Sequence, residues 1–141
     1  GRFGHVSSER VLSGAGLETL YDTLASLDGV APPKRRAAEI TRAGIEGTCP
    51  ISRAAIDMFC AILGSVAGNL ALALGAKGGI FIGGGILRHI PKYLAESQFR
   101  ARFEEKGRLR QFLEPIPAYL ILDDVVAFVG LRTLMEVEGN G

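Results

Sequence analysis

Nineteen consecutive residues, "MFCAILGSVAGNLALALGA" from Met58 to Ala76, carry no charge, and they constrain the fold more than any other stretch of this chain. Thr48 with Pro50 supplies a helix start and Gly75 a helix stop, so the spacing predicts one long helix from about residue 50 to Gly75. An apolar helix of that length must be covered on most sides by protein or by lipid. Gly64, Ser65, Gly68, Asn69 and Gly75 interrupt the apolar run, and the next apolar block is too short to span a bilayer. Small residues at Gly64 and Gly68 suit a helix packed closely against a sheet or another helix. The expectation is a core helix rather than a membrane span. With 141 residues, 48% of them hydrophobic and 22% charged, the chain has the material for one domain around that helix.

The remaining elements follow from periodicity and breakers. Ser7 or Ser8 caps a predicted short helix through Leu12, after which Gly14 and Gly16 break the chain. Leu17, Leu20, Leu24 and Leu27 recur at helical spacing up to a stop at Gly29. Pro32, Pro33 and the run Lys34-Arg35-Arg36 make a solvated loop before a modest helix over Ala37 to Ala43. Ile80 to Ile82 form a strand, Gly83-Gly84-Gly85 turn the chain, and Ile86 begins another helix. A further helix is expected from Tyr93 to Lys106, with Phe99 and Phe103 on one face. Pro115 and Pro117 bracket a turn into a strand, Ala118 to Leu122, stopped by Asp123-Asp124 and followed by a final helix over Val125 to Val137. Two apolar strands, each followed by a helix, predict a parallel α/β arrangement. Two strands make a poor sheet, so further strands are expected upstream. The start at Gly1 rather than Met fits an excised piece.

A net charge of +1 gives no global field toward nucleic acid, anionic membrane or acidic substrates. The segment "FRARFEEKGRLRQF" alternates Arg and Phe, but Glu104 and Glu105 cut its charge, and the phenylalanines read as core anchors. Cys49 and Cys60 suggest a reducing, cytoplasmic compartment and read as small buried apolar residues. On one helix their separation would be about 16 Å, far beyond a disulfide.

The stretch "KGGIFIGGGIL" raises the functional question. Glycines at the carboxyl end of a parallel strand, before a helix start, let backbone approach a flat or anionic ligand, and a nucleotide is the natural candidate. The pattern is neither G-x-G-x-x-G nor G-x-x-x-x-G-K-[ST], and close strand-to-helix packing would also explain it. No metal-ligand set and no catalytic constellation is read from the sequence.

Three blocks in order, "GHVSSERVLSGAGLETLY", "GNLALALGAKGGIFIGGGI" and "FRARFEEKGRLRQFLEPIPAYLI", together resemble the C-terminal part of a bacterial ATP-dependent glucokinase, of the sugar kinase, actin and hexokinase superfamily. The resemblance implies a helix-rich α/β fold, the C-terminal large-domain portion of an actin-like, ribonuclease H-like sugar kinase, with few parallel strands across residues 1–141. It implies that Gly83, Gly84 and Gly85 face the adenosine of ATP. It makes Ser13, Gly14 and Gly16, in "LSGAGL", further nucleotide candidates. Glu9, in "SSERVLSG", matches the family's sugar-binding glutamate. An ionised carboxylate accepts two hydroxyl donors, and each charged hydrogen bond is worth about 1.5–3 kcal/mol. A solvated helix residue paired with Arg10 or Arg36 is the plainer account of Glu9.

Other residues are given no chemistry. The family's sugar-holding histidine belongs to an E-G-G-H motif that "GRFGHVS" lacks, so His5 is expected to be structural. His89 is expected at or near the surface, and Asp123 and Asp124 at a turn. The family's D-x-G-G-T phosphate loop and catalytic aspartate are absent from these residues. The expectation is therefore a segment of a glucokinase that uses ATP and Mg²⁺ in the intact enzyme, inactive by itself, partnered by the N-terminal part of the same enzyme and by a second copy in a homodimer. A sugar-sensing regulatory domain without kinase activity is the alternative. The two are separated by whether the phosphate loop and catalytic aspartate, or a helix-turn-helix, lie upstream.

Overall fold

A computed structural model describes residues 3–7, 14–31, 33–83, 85–122 and 128–130, with 3–7 and 128–130 taken as backbone only. In chain order the elements are β1 (Phe3–Ser7), α1 (Gly14–Leu27), α2 (Ala37–Glu46), α3 (Pro50–Leu74) and β2 (Gly79–Gly83). There follow α4 (Pro91–Glu96), α5 (Phe99–Glu104), α6 (Arg110–Leu113), β3 (Ala118–Ile121) and β4 (Phe128–Gly130).

The long uncharged stretch is α3, and its ends are set by local chemistry. Cys49 is the N-cap, its Sγ accepting the Ser52 N–H at 3.4 Å, and Pro50 occupies the first turn, where a missing N–H leaves no bond unmade. Gly75, at φ 60°, closes the helix in a left-handed conformation that a residue with a Cβ resists. Ile56, Phe59, Leu63, Ala67 and Ala71 recur at three- and four-residue steps and are fully buried. Each large one contributes about 1.5–3 kcal/mol on leaving water. They pack α3 against α1, α2 and α5 and against β1 and β2. Half of the most apolar window of α3 is buried inside the protein.

Gly64 and Gly68 work as predicted. A Cβ on Gly64 would run into the carbonyl oxygen of Phe99, and one on Gly68 into that of Phe103. The α5 backbone therefore lies directly on α3, with Phe99 and Phe103 wholly buried and their rings stacked at 6.1 Å between centroids. Lys106 Nζ donates to the Ser65 carbonyl at 3.1 Å across the same contact. On the far side of α5, the buried Arg100 donates from Nε to Glu104 at 2.6 Å and from Nη2 to the carbonyls of Leu113 and Glu114 at 3.1 and 3.0 Å. One guanidinium thereby satisfies open carbonyls at the end of α6.

The sheet has the order β1-β2-β3-β4. The first three strands run parallel, Ser7 pairing Gly83 and Ile82 pairing Leu120, while β4 returns antiparallel with Val129 opposite Leu120. Ile80, Ile82, Ala118 and Leu120 are buried at period two, as a strand lying under helices requires.

Several expectations give way here. Four strands are present among the described residues rather than two, because β1 and β4 are short and are selected by pairing with β2 and β3 rather than by their own pattern. Ser7 ends a strand instead of capping a helix, and Phe128–Gly130 lie in a strand where a final helix was predicted; the rest of both predicted helices falls outside the described residues. Gly14 opens α1 rather than breaking the chain before it. The Tyr93-to-Lys106 helix is two helices, because Ser97 Oγ donates to the Leu94 carbonyl at 2.7 Å and accepts the Phe99 N–H at 3.1 Å, replacing the helical bonds of that turn. Ile86 does not begin an α-helix: Leu87–His89 make a single 3-10 turn, and Pro91 starts the next helix. Cys60 is buried as predicted, but Cys49 is only half-buried and serves as a cap.

Candidate functional site

Parallel strands bring their carboxyl ends to one edge of a sheet, where α/β proteins place their ligands. Here that edge carries Ser7 of β1 beside Gly83 of β2, so the segment leading to Glu9 and the glycine turn leave the sheet as neighbours. Glu9 and Ser13 themselves lie outside the described residues, as do Gly84, Asp123 and Asp124. His5 pairs Phe81 in the β1–β2 ladder, a structural position for its backbone.

Beyond β2 the turn and α2 border a half-open cavity of about 580 Å³, in the size range of about 300–1,000 Å³ usual for small-molecule sites. Gly85, Ile86, His89 and Ile90 form one wall. Ala37, Ala38, Thr41, Arg42, Ile45 and Glu46 form the other, all from one side of α2. The lining is mainly apolar with a few polar groups, and His89 is exposed, as expected for it.

The glycines sort into two kinds. Gly44, Gly64 and Gly68 are required by packing, since a Cβ at any of them meets backbone. For three of the glycines singled out in the sequence, the described residues show no such requirement. A Cβ on Gly83 would sit 3.9 Å from Ile121 Cδ1, and one on Gly14 would sit 3.4 Å from Ala37 Cβ and 3.7 Å from Ile86 Cδ1, both ordinary contacts. Around Gly16 a Cβ would meet no atom within 4 Å among the described residues. None of these three has a left-handed backbone. Neither strain nor crowding by the described residues explains why Gly14, Gly16 and Gly83 lack side chains. A side chain added at Gly14 would reach residues of both walls, so α1 starts close to the turn and two of the predicted glycine segments lie near each other although about seventy residues separate them in sequence.

Electrostatics fix the near wall in place. Glu39 accepts the Arg36 N–H at 2.8 Å, and Glu18 of α1 accepts the Ala37 N–H at 2.9 Å, so two carboxylates satisfy the opening turn of α2. Arg36 pairs with Glu18 at 3.8 Å, on the surface. Thr41, 9% exposed, donates its hydroxyl proton to the Ala37 carbonyl at 2.8 Å. The contribution of α2 was missed from sequence because the helix was ended at Ala43. Ala38, Thr41, Arg42 and Ile45, at three- and four-residue steps, were the available signal. Among the described residues no group of three or more His, Cys, Asp or Glu converges into a metal cage.

Helices on a mostly parallel sheet, with glycines turning at the carboxyl end of an inner strand, define an α/β protein of the class that carries its ligand at the sheet's edge. The chain belongs to the glucokinase family, whose profile, described as "Glucokinase", matches residues 1–138. It is 50% identical over 139 residues to a glucokinase of Paramagnetospirillum magneticum, covering 99% of this chain and 43% of that protein. A glucokinase of Neisseria meningitidis is 44% identical over 135 residues, covering 96% of this chain and 41% of the relative. The crystal structure of a glucokinase from an Antarctic psychrotroph superposes with a TM-score of 0.76 at 42% identity, covering 84% of this chain and 37% of that one. The chain thus spans about two fifths of the length of the relatives it matches.

Proposed function

We propose that these residues are the C-terminal, large-domain segment of an enzyme that transfers the γ-phosphoryl group of ATP to the 6-hydroxyl of glucose. Within it, Gly83, Gly84 and Gly85, with Ser13, Gly14 and Gly16 beside them, line the adenosine side of the cleft. Glu9 accepts hydrogen bonds from glucose hydroxyls. The observation that carries this reading is that, among the described residues, neither crowding nor backbone strain requires glycine at Gly14, Gly16 or Gly83, while Gly85 lines an apolar cavity beyond the strand's carboxyl end. A bound nucleoside presents a flat surface that calls for close backbone approach. Loss of any of these contacts weakens nucleotide or sugar binding without touching the core.

Phosphoryl transfer also needs a phosphate cradle, Mg²⁺ and a base near the accepting hydroxyl. Those groups are assigned to the N-terminal part of the enzyme, Mg²⁺ being held against the ATP phosphates, so this segment is inactive by itself. The enzyme is placed in the cytoplasm as a homodimer.

The test is ADP release by the full-length enzyme with ATP, Mg²⁺ and a panel of hexoses, wild type beside Glu9→Gln. Glucose-dependent turnover that falls about 10-fold or more in the variant is expected, since a charged hydrogen bond of about 1.4 kcal/mol or more is lost. Turnover indifferent to the substitution would remove Glu9 from the site. Sugar binding without turnover on any hexose would convert the reading to a sensor.

A further inference from the structure

We propose that α2 supplies the base-recognising half of the nucleotide site, with Thr41 reading the 6-amino group of adenine. The inference rests on the reading above, that the segment serves an enzyme using ATP, and extends it to a helix outside the glycine motifs.

One face of α2 is buried in the fold, and a second face, of mixed polarity, borders the cavity. Ile40, Ala43 and Gly44 are buried toward α3, where a Cβ on Gly44 would press against Ile56 Cδ1 and the Ser52 carbonyl. The other face presents Ala38 and Ile45 to the cavity, and Ile45 remains 41% exposed. Beside a cavity of about 580 Å³, this side chain offers an aliphatic surface that a flat apolar ring can cover. The opposite wall is Ile86, next to the turn, so a purine inserted here lies between two branched aliphatic side chains. Arg42 stands on the same side of α2 and forms no ion pair among the described residues, leaving its planar guanidinium available to stack on the exposed face of the ring.

Thr41 sets the polarity of the inner wall. Its only hydroxyl proton is committed to the Ala37 carbonyl at 2.8 Å, so what the oxygen offers the cavity is acceptor capacity. An acceptor suits the amino group at position 6 of adenine and opposes the carbonyl oxygen that hypoxanthine carries there. The site therefore discriminates ATP from ITP at the base, without contact to the phosphates.

The experiment uses the full-length enzyme with saturating glucose and with ATP or ITP as donor. Ala38→Trp fills the cavity from an exposed helix position and leaves the core alone; unchanged thermal unfolding verifies that it folds. It is expected to raise KM for ATP about 10-fold or more while KM for glucose stays within about twofold, the pattern of lost donor binding. Thr41→Val keeps the shape and removes the acceptor. It is expected to raise KM for ATP about 5-fold and to leave KM for ITP unmoved, a split that a merely loosened helix would not produce. A folded Ala38→Trp enzyme with wild-type KM for ATP would overturn the placement, and equal effects of Thr41→Val on both donors would overturn the role of Thr41. If the wild type phosphorylates no hexose, the functional reading fails separately, and calorimetric titration of ATP into wild type and Ala38→Trp decides the inference. Binding lost in the variant upholds it, and binding equal in both, or absent from both, ends it.

Discussion

At the scale of single residues, one glycine of α3 and one of α1 make opposite predictions from the same substitution. Gly64→Ala sets a methyl group into the Phe99 carbonyl, which is backbone and cannot step aside without moving α5. We expect a loss of about 1–3 kcal/mol, the cost of overpacking a filled core, read as a lower urea midpoint of the full-length enzyme. Gly16→Ala meets no atom within 4 Å among the described residues and lies inside a helix. It should hold stability or raise it by up to about 1 kcal/mol, while raising KM for ATP if the glycine serves the nucleotide; an unchanged KM would strike Gly16 from the site. The two cysteines also separate. Burial pushes the Cys60 thiol up to about 12. At Cys49 burial acts the same way but is outweighed by hydrogen bonds from Ser52 and Ile51 and the charge of Arg35, leaving the thiol below its ordinary value. Because the thiolate is the nucleophile, iodoacetamide near neutral pH should alkylate Cys49 first, and mass spectrometry showing Cys60 labelled earlier would contradict the structure.

At the scale of elements, α5 and α6 hold each other through one buried side chain. Arg100→Ala would leave the Glu104 carboxylate, 12% exposed, with Arg110 at 3.3 Å as its one ion-pair partner among the described residues, and remove the Arg100 donor from two carbonyls. Breaking such a pair costs about 3–5 kcal/mol, which denaturant unfolding at constant slope would register. The sequence disclosed this layer unevenly. The long helix was legible because Pro50, Gly75 and an uncharged interior all agree, and β2 and β3 because runs of branched and aromatic residues are bounded by glycine or proline. What stayed hidden depended on partners distant in the chain. Phe3–Ser7 and Phe128–Gly130 are strands because β2 and β3 offer open edges, and no local signal reports that. The break at Ser97 turns on a hydroxyl choosing a backbone partner, which residue type alone leaves open. In the site, the glycine turn was readable as a motif, whereas α2 became visible only once folding had set Ala37 and Ile86 on either side of Gly14.

At the scale of the whole molecule, α3 is the hub of the described fold, packed against α1, α2, α5 and α6 and against strands β1 and β2. Such a core can be complete while the chemistry is not. We expect the 141-residue chain alone to release no ADP from ATP and glucose in a coupled assay, and turnover by it would overturn the division of labour proposed above.

The pairing of Ser7 with Gly83 has a consequence for how this sequence can change in length. A residue inserted or deleted within β1 would shift everything after Ser7 by one strand step, about 3.3 Å, and turn it to the opposite face of the sheet. The segment after Ser7 would then leave the sheet out of step with the glycine turn. The same change between Gly29 and Arg36, in the connection from α1 to α2, displaces no paired strand. Insertions and deletions should therefore accumulate in that connection and be excluded from β1, so that the sheet acts as a frame of reference that evolution can lengthen around but not through.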